Sequence, residues 1–102
     1  MKAKQKGIRM TVYCRYALKI DSDMTVESVL TRFAVEHFNA REAVQIDARQ
    51  YSVDNGMNDL RAVIKEEQQL ITFCCRYEKD VTRTESMVLA FAKAHDLVVV
   101  TI

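Results

Sequence analysis

The chain has 102 residues, 49% of them hydrophobic and 28% charged, with a formal net charge of +1. That length accommodates one domain whose core needs no metal or disulfide, and the near-zero charge excludes a global pull toward nucleic acid or anionic lipid. No apolar run approaches the ~20 residues of a membrane span, no secretory leader is recognisable, and three cysteines, two of them adjacent, fit a reducing compartment, so the expected location is cytoplasmic.

Residues 1–9 carry Lys2, Lys4, Lys6 and Arg9 with no acid, leaving 11 bases against 14 acids in the rest of the chain. This is expected to be a basic flexible arm. Residues 10–20 then alternate: Met10, Val12, Cys14, Tyr16, Leu18 and Ile20 point one way, and Thr11, Tyr13, Arg15, Ala17 and Lys19 the other. Period two with aromatic and β-branched residues predicts a half-buried strand, and the Asp21-Ser22-Asp23 cluster predicts a turn. Over 25–38, Val26, Val29, Leu30, Phe33, Ala34, His37 and Phe38 fall on one face of an amphipathic helix, which Asn39 is suited to stop.

Residues 43–53 read as a second strand through Val44, Ile46 and Ala48, with a bulge near Arg49 or Gln50 where the phase slips toward Tyr51 and Val53. Asp54-Asn55-Gly56 signals a turn. The spacing of Met57, Leu60, Val63 and Ile64 predicts an extra helix over 57–67. A third strand over 69–79 places Ile71, Phe73, Cys75 and Tyr77 on its inner face. Thr82-x-x-Glu85 reads as a capping box opening a helix over 83–95, and Leu97–Ile102 as a last short strand.

A repeat organises these elements. Cys14-Arg15-Tyr16 recurs as Cys75-Arg76-Tyr77 at an offset of 61, and the helix from Glu27 to His37 matches the one from Glu85 to His95 at an offset of 58, with Glu, Ser, Phe, Ala and His identical. Self-similarity at a near-constant offset predicts two copies of one supersecondary unit. The fold class is therefore α+β: a ferredoxin-like (βαβ)2 arrangement with a pseudo-two-fold internal repeat, an antiparallel four-stranded sheet and an extra helix between strands two and three. Residues 1–102 form a single domain in this reading: the arm at 1–9, one βαβ unit at 10–53, the turn and extra helix at 54–68, and the second unit at 69–102.

The repeat also sorts inward from outward residues. Cys14 and Cys75, Tyr16 and Tyr77, and Phe33 and Phe91 are expected in the core, whereas Arg15 and Arg76 are expected on the sheet face away from the helices, with Tyr13 and Cys74. Cys74 would then be the thiol most open to reagents. His37 and His95 stand at equivalent helix C-termini, where a donating group satisfies terminal carbonyls. No Cys/His spacing suits a metal, no glycine-rich loop suits a phosphate, and no cofactor is implied. The third strand lacks the glycine of the RNA-recognition signature, and its aromatics Phe73 and Tyr77 fall on the core side.

The expected function is that of a small non-enzymatic protein-binding or regulatory module. It would act as an inhibitor or adaptor of a larger assembly, as small accessory proteins of phages and mobile elements do, with a homodimer as a further expectation. Its partner-binding residues would be Tyr13, Arg15 and Arg76 on the sheet and Met57, Leu60 and Arg61 on the extra helix. The alternatives are a nucleic-acid-binding module using Lys2, Lys4, Lys6 and Arg9 with the open sheet face, and a small ferredoxin-like enzyme centred on His37 or His95.

Overall fold

The computed structural model describes residues 12–102, so the arm with Lys2, Lys4, Lys6 and Arg9 lies outside the described residues. The first predicted strand forms as two pieces, β1 (Val12–Tyr13) and β2 (Tyr16–Lys19). They are followed by helix α1 (Val26–Phe38), strands β3 (Val44–Asp47), β4 (Gln50–Ser52), β5 (Leu60–Lys65) and β6 (Leu70–Cys75), helix α2 (Val81–His95) and strand β7 (Val99–Thr101). Single 3-10 turns at Glu66–Gln68 and Glu78–Asp80 lead into β6 and α2.

The sheet is antiparallel throughout, in the order β3-β4-β5-β6-β2-β7, with β1 also paired to β6. Seven strand segments replace the expected four. The first and third predicted strands are neighbours, and the last strand lies outside the first. The second predicted strand does not sit beside β6; β5 takes that place.

Two local causes explain the difference. The expected bulge at 49–50 is a hairpin turn, in which the Asp47 carboxylate accepts from the Arg49 backbone N–H at 2.9 Å and from the Gln50 side chain at 2.8 Å. This local acceptor turns the chain back on itself and converts one strand into β3 and β4. The expected helix over 57–67 is corrected to strand β5. Asn55, Gly56 and Asn58 adopt positive φ of 57°, 86° and 62°, and the buried Asp54 carboxylate accepts from the backbone N–H groups of Asn58, Asp59 and Leu60 at 3.0, 2.7 and 3.0 Å. Left-handed residues and a captured row of amides leave no first helical turn to nucleate. Leu60, Ala62 and Ile64, which also satisfy period two, are then buried along β5.

Both helices form on their apolar stripes. Thr25 caps α1 by accepting from the Ser28 N–H at 3.2 Å, and Asn39 ends it in the left-handed region while the Ala40 N–H donates to the Ala34 carbonyl at 3.2 Å. The capping box of α2 does not form: Asp80 is its N-cap, without a side-chain cap bond, and Glu85 is engaged elsewhere. The helices pack on one sheet face, where Phe33 contacts Phe73 and Phe91 at ring-centroid distances of 5.1 and 5.2 Å. Repeat mates meet in this core, Phe33 with Phe91 and Cys14 with Cys75, whose sulfurs are 3.9 Å apart. Tyr77 departs from its mate Tyr16: it follows β6 and is exposed rather than part of the core.

Asp54 is the acceptor that sets the β4–β5 connection. Asp54→Ala is expected to destabilise the fold by about 3 kcal/mol, because the buried Leu60 N–H and the part-buried N–H groups of Asn58 and Asp59 lose their partner. Urea denaturation followed by circular dichroism measures this, and a change within a few tenths of a kcal/mol would show that the loop closes without it.

Candidate functional site: the sheet face opposite the helices

Ladder partners in a sheet share a face, and alternate residues along a strand share it too. One row therefore runs Val44, Ser52, Arg61, Cys74, Tyr13 across β3, β4, β5, β6 and β1. A parallel row holds Asp47, Gln50, Val63 and Thr72, and a third holds Lys65, Leu70 and Lys19. The core packed by the helices contains the residues between these, namely Leu60, Ala62, Ile64, Ile71, Phe73 and Cys75. Among the described residues no helix packs on the first set.

Three cations, Lys19, Arg61 and Lys65, thus share this face, and its ladder positions on β1, β2, β5 and β6 include no carboxylate. Tyr13 is 51% exposed, and the Lys65 ammonium lies 5.9 Å from its ring centroid, a cation–π arrangement. At the outer edge Val44 and Ile46 are 57% and 43% exposed. They line a shallow concavity of about 580 Å³ with Arg41, Glu42, Ser52, Asn58 and Arg61. All four residues of the outermost strand β3 are exposed, and among the described residues only one of its edges is paired. The Arg61 guanidinium is oriented by Asn58 Oδ1 and Gln50 Oε1, both at 3.0 Å.

Of the residues expected at this surface, Tyr13 and Arg61 lie on it. Met57 is the most exposed large apolar side chain among the described residues, at 69%, in the loop before β5. Leu60 points to the opposite face and is buried in the core, a correction that follows from the strand replacing the helix. Arg15 and Arg76 are both engaged within the chain. The register steps by two residues between β1 and β2, so that Cys14–Ala17 stand opposite Thr72 and Phe73 alone. At this bulge Arg15 turns to α2: its backbone N–H donates to Glu85 Oε2 at 2.7 Å, and its guanidinium NH2 donates to Glu85 Oε1 at 3.1 Å. Arg76 pairs with Asp59, 3.6 Å from Oδ1, and its backbone N–H donates to the Asp59 carbonyl at 2.8 Å. Both guanidiniums lie over the tyrosine that follows, at 5.3 Å from the Tyr16 ring and 5.1 Å from the Tyr77 ring. The Arg15–Glu85 contact holds the Glu85 carboxyl below the usual carboxylate range, against the opposing effect of burial.

Cys74 is buried rather than open. It is flanked in the ladder by Tyr13 and Arg61, and burial pushes its thiol up to about 11. His37 packs on Phe33 at 5.0 Å, and burial lowers its pKa, helped by the nearby His95 and opposed by Glu36. His95 Nε2 lies 2.8 Å from Glu36 Oε2 and joins the two helices beside a depression of about 140 Å³ that also meets Ser28 and Arg32. Among the described residues, no three His, Cys, Asp or Glu side chains converge to hold a metal ion. No described helix is long and apolar enough to cross a membrane.

Lys19, Lys65, Val44, Ile46 and Glu85 were missing from the predicted set. Reading 60–65 with period two would have put Lys65 beside Arg61, and Lys19 was already assigned to the outward phase of the first strand. Comparison of the chain with protein-family models, curated proteins and solved structures finds no match.

Two acid limbs are expected in stability. The folded state depresses the pKa of both His37 and Glu85, so unfolding takes up protons and stability falls as pH falls. The His37 contribution is complete above its unfolded value near ~6.5 and is lost through the pH region below it. The Glu85 contribution is complete above ~4.3 and is lost as pH drops through the lower folded value. Urea midpoints measured from pH 7 to 3 should show both limbs, with His37→Gln flattening the upper and Glu85→Gln the lower. A profile unchanged by Glu85→Gln would refute the assignment of the lower limb.

Proposed function

We propose that the protein is a non-enzymatic binding module, an inhibitor or adaptor, that docks the sheet face opposite its helices onto an acidic, partly apolar surface of a protein partner. The observation that carries this reading is the placement of Lys19, Arg61 and Lys65 with the exposed Tyr13 and Val44 on one face, with Ile46 lining the concavity beside Val44 and Arg61 and no carboxylate on the central strands. Aromatic and arginine anchors ringed by charge fit a protein contact. The edge of β3 that no described strand pairs adds a second mode, backbone pairing with an extended segment or with a second copy. In this reading the domain is a ferredoxin-like pseudo-two-fold unit widened by the β4–β5 hairpin, and the widening supplies the binding surface.

The cations around Tyr13 also favour a second reading, single-stranded nucleic acid stacked on Tyr13 with its phosphates on the lysines, to which Lys2, Lys4, Lys6 and Arg9 would add. An enzymatic alternative would rest on the His95–Glu36 pair alone.

Charge reversal at Arg15 or Arg76 would break internal ion pairs, so it does not isolate binding. Tyr13→Ala combined with Lys65→Glu does, because neither side chain belongs to the helix-packed core. A protein retained by the immobilised wild type should be lost by the double variant at an unchanged unfolding midpoint, and equal retention would sink the sheet-face proposal. Fluorescence anisotropy with single-stranded DNA and RNA separates the readings: nucleic-acid binding predicts affinity that falls steeply with salt and drops in the variant, whereas the protein reading predicts no uptake at physiological salt.

A further inference from the structure

The two cysteines duplicated by the repeat lie against each other in the core. Cys14 and Cys75 are 2% and 0% exposed, and their sulfurs are 3.9 Å apart. The Cys75 S–H donates to the buried Thr84 hydroxyl at 3.5 Å. Each thiol carries one hydrogen, so Cys14 is left to donate to the Cys75 sulfur. We propose that Cys14 and Cys75 are a redox latch, in which a hydroperoxide converts the two thiols into a disulfide tying the first strand to β6.

The asymmetry of the pair assigns the roles. The hydrogen bond from Cys14 lowers the Cys75 pKa, with burial opposing it, and the same hydrogen bond together with burial raises that of Cys14. As the acceptor of the Cys14 hydrogen bond, Cys75 is the attacking sulfur in this proposal. Its sulfur attacks one peroxide oxygen, the O–O bond breaks, hydroxide leaves and is protonated to water, and Cys75 becomes a sulfenic acid. The Cys14 sulfur then attacks the Cys75 sulfur; the S–S bond forms, the S–O bond breaks, and the departing hydroxyl leaves as water with the Cys14 proton. The two thiols together lose two protons and two electrons, and hydrogen peroxide is reduced to two waters.

Closure needs the sulfurs to approach from 3.9 Å to about 2 Å. The Cys14–Ala17 bulge, where four residues oppose two, supplies slack for this movement, and its opening is also what must admit peroxide to the buried Cys75. Cys74 is excluded although it adjoins Cys75 in sequence, because successive strand residues point to opposite faces. The bond would close a loop between positions 61 residues apart, which restricts the unfolded chain. It would also draw on the backbone next to Arg15, where the first strand meets α2.

The test uses the intact protein. Wild type and Cys74→Ser are treated with hydrogen peroxide, remaining thiols are alkylated, and non-reducing peptide mapping with fragmentation locates any link. Expected are an intramolecular Cys14–Cys75 bond in both proteins, a urea midpoint that rises on oxidation and returns after dithiothreitol, and loss of both effects in Cys14→Ala. If Cys74→Ser does not fold, fragmentation of the wild-type peptide makes the assignment. Alkylation of both Cys14 and Cys75 after peroxide, a link through Cys74, or a bond only between chains would overturn the proposal.

Discussion

All six residues of β6, Leu70–Cys75, are buried, and the remaining structure is arranged to cover them. A strand enclosed on both faces needs neighbours on both edges and shielding above and below. The edges are filled by β5 on one side and by β1 and β2 on the other. One face, with Ile71, Phe73 and Cys75, receives the aromatic core of α1 and α2. The other face, with Leu70, Thr72 and Cys74, is flanked by Lys19, Lys65, Arg61 and Tyr13 from the adjacent strands. Side chains of this kind cover apolar surface with their stems while keeping a polar head in water. The composition of the proposed binding face therefore follows from the burial of β6.

The two arginines of the repeat have the same local chemistry and different structural consequences. Each lies over the tyrosine that follows it and each reaches an acid, but Glu85 belongs to a helix and Asp59 to the loop before β5. The Arg15 contact joins the bulge between β1 and β2 to α2 through both backbone and side chain, with a carboxylate that is itself buried. The Arg76 contact reinforces the entry to β5 beside the Asp54 turn. Glu85 cannot also cap α2, so the helix begins without the side-chain cap its sequence offers.

What was legible and what was not divides by the range of the deciding interaction. The strand phase of Cys14, Tyr16 and Leu18 and the stripe of Leu30, Phe33, Val88 and Phe91 place these residues correctly, because both periodicities follow from local backbone geometry and a single buried side. Residues 57–67 satisfied a helical and a strand pattern at once. Asp54 decided between them by capturing the amides of Asn58, Asp59 and Leu60, and β6 offered β5 an edge. The surface site was half legible: Tyr13 and Arg61 were on the predicted set, but Lys19, Lys65 and Val44 join them only through the ladder, and Ile46 through the concavity beside Arg61.

By itself the sequence determined the two helices and their inward faces, the strand character of 12–19 and 70–75, and the equivalence of Cys14 with Cys75 and of Phe33 with Phe91. These depend on side-chain period and on self-similarity within the chain, which need no knowledge of neighbours. Tertiary structure alone decided that Arg15 meets Glu85, that Cys74 is buried, that residues 60–65 are a strand, and which cations share a face with Tyr13. Those outcomes depend on register and on which acceptor is nearest in space, and neither is encoded in the spacing of residues along one segment.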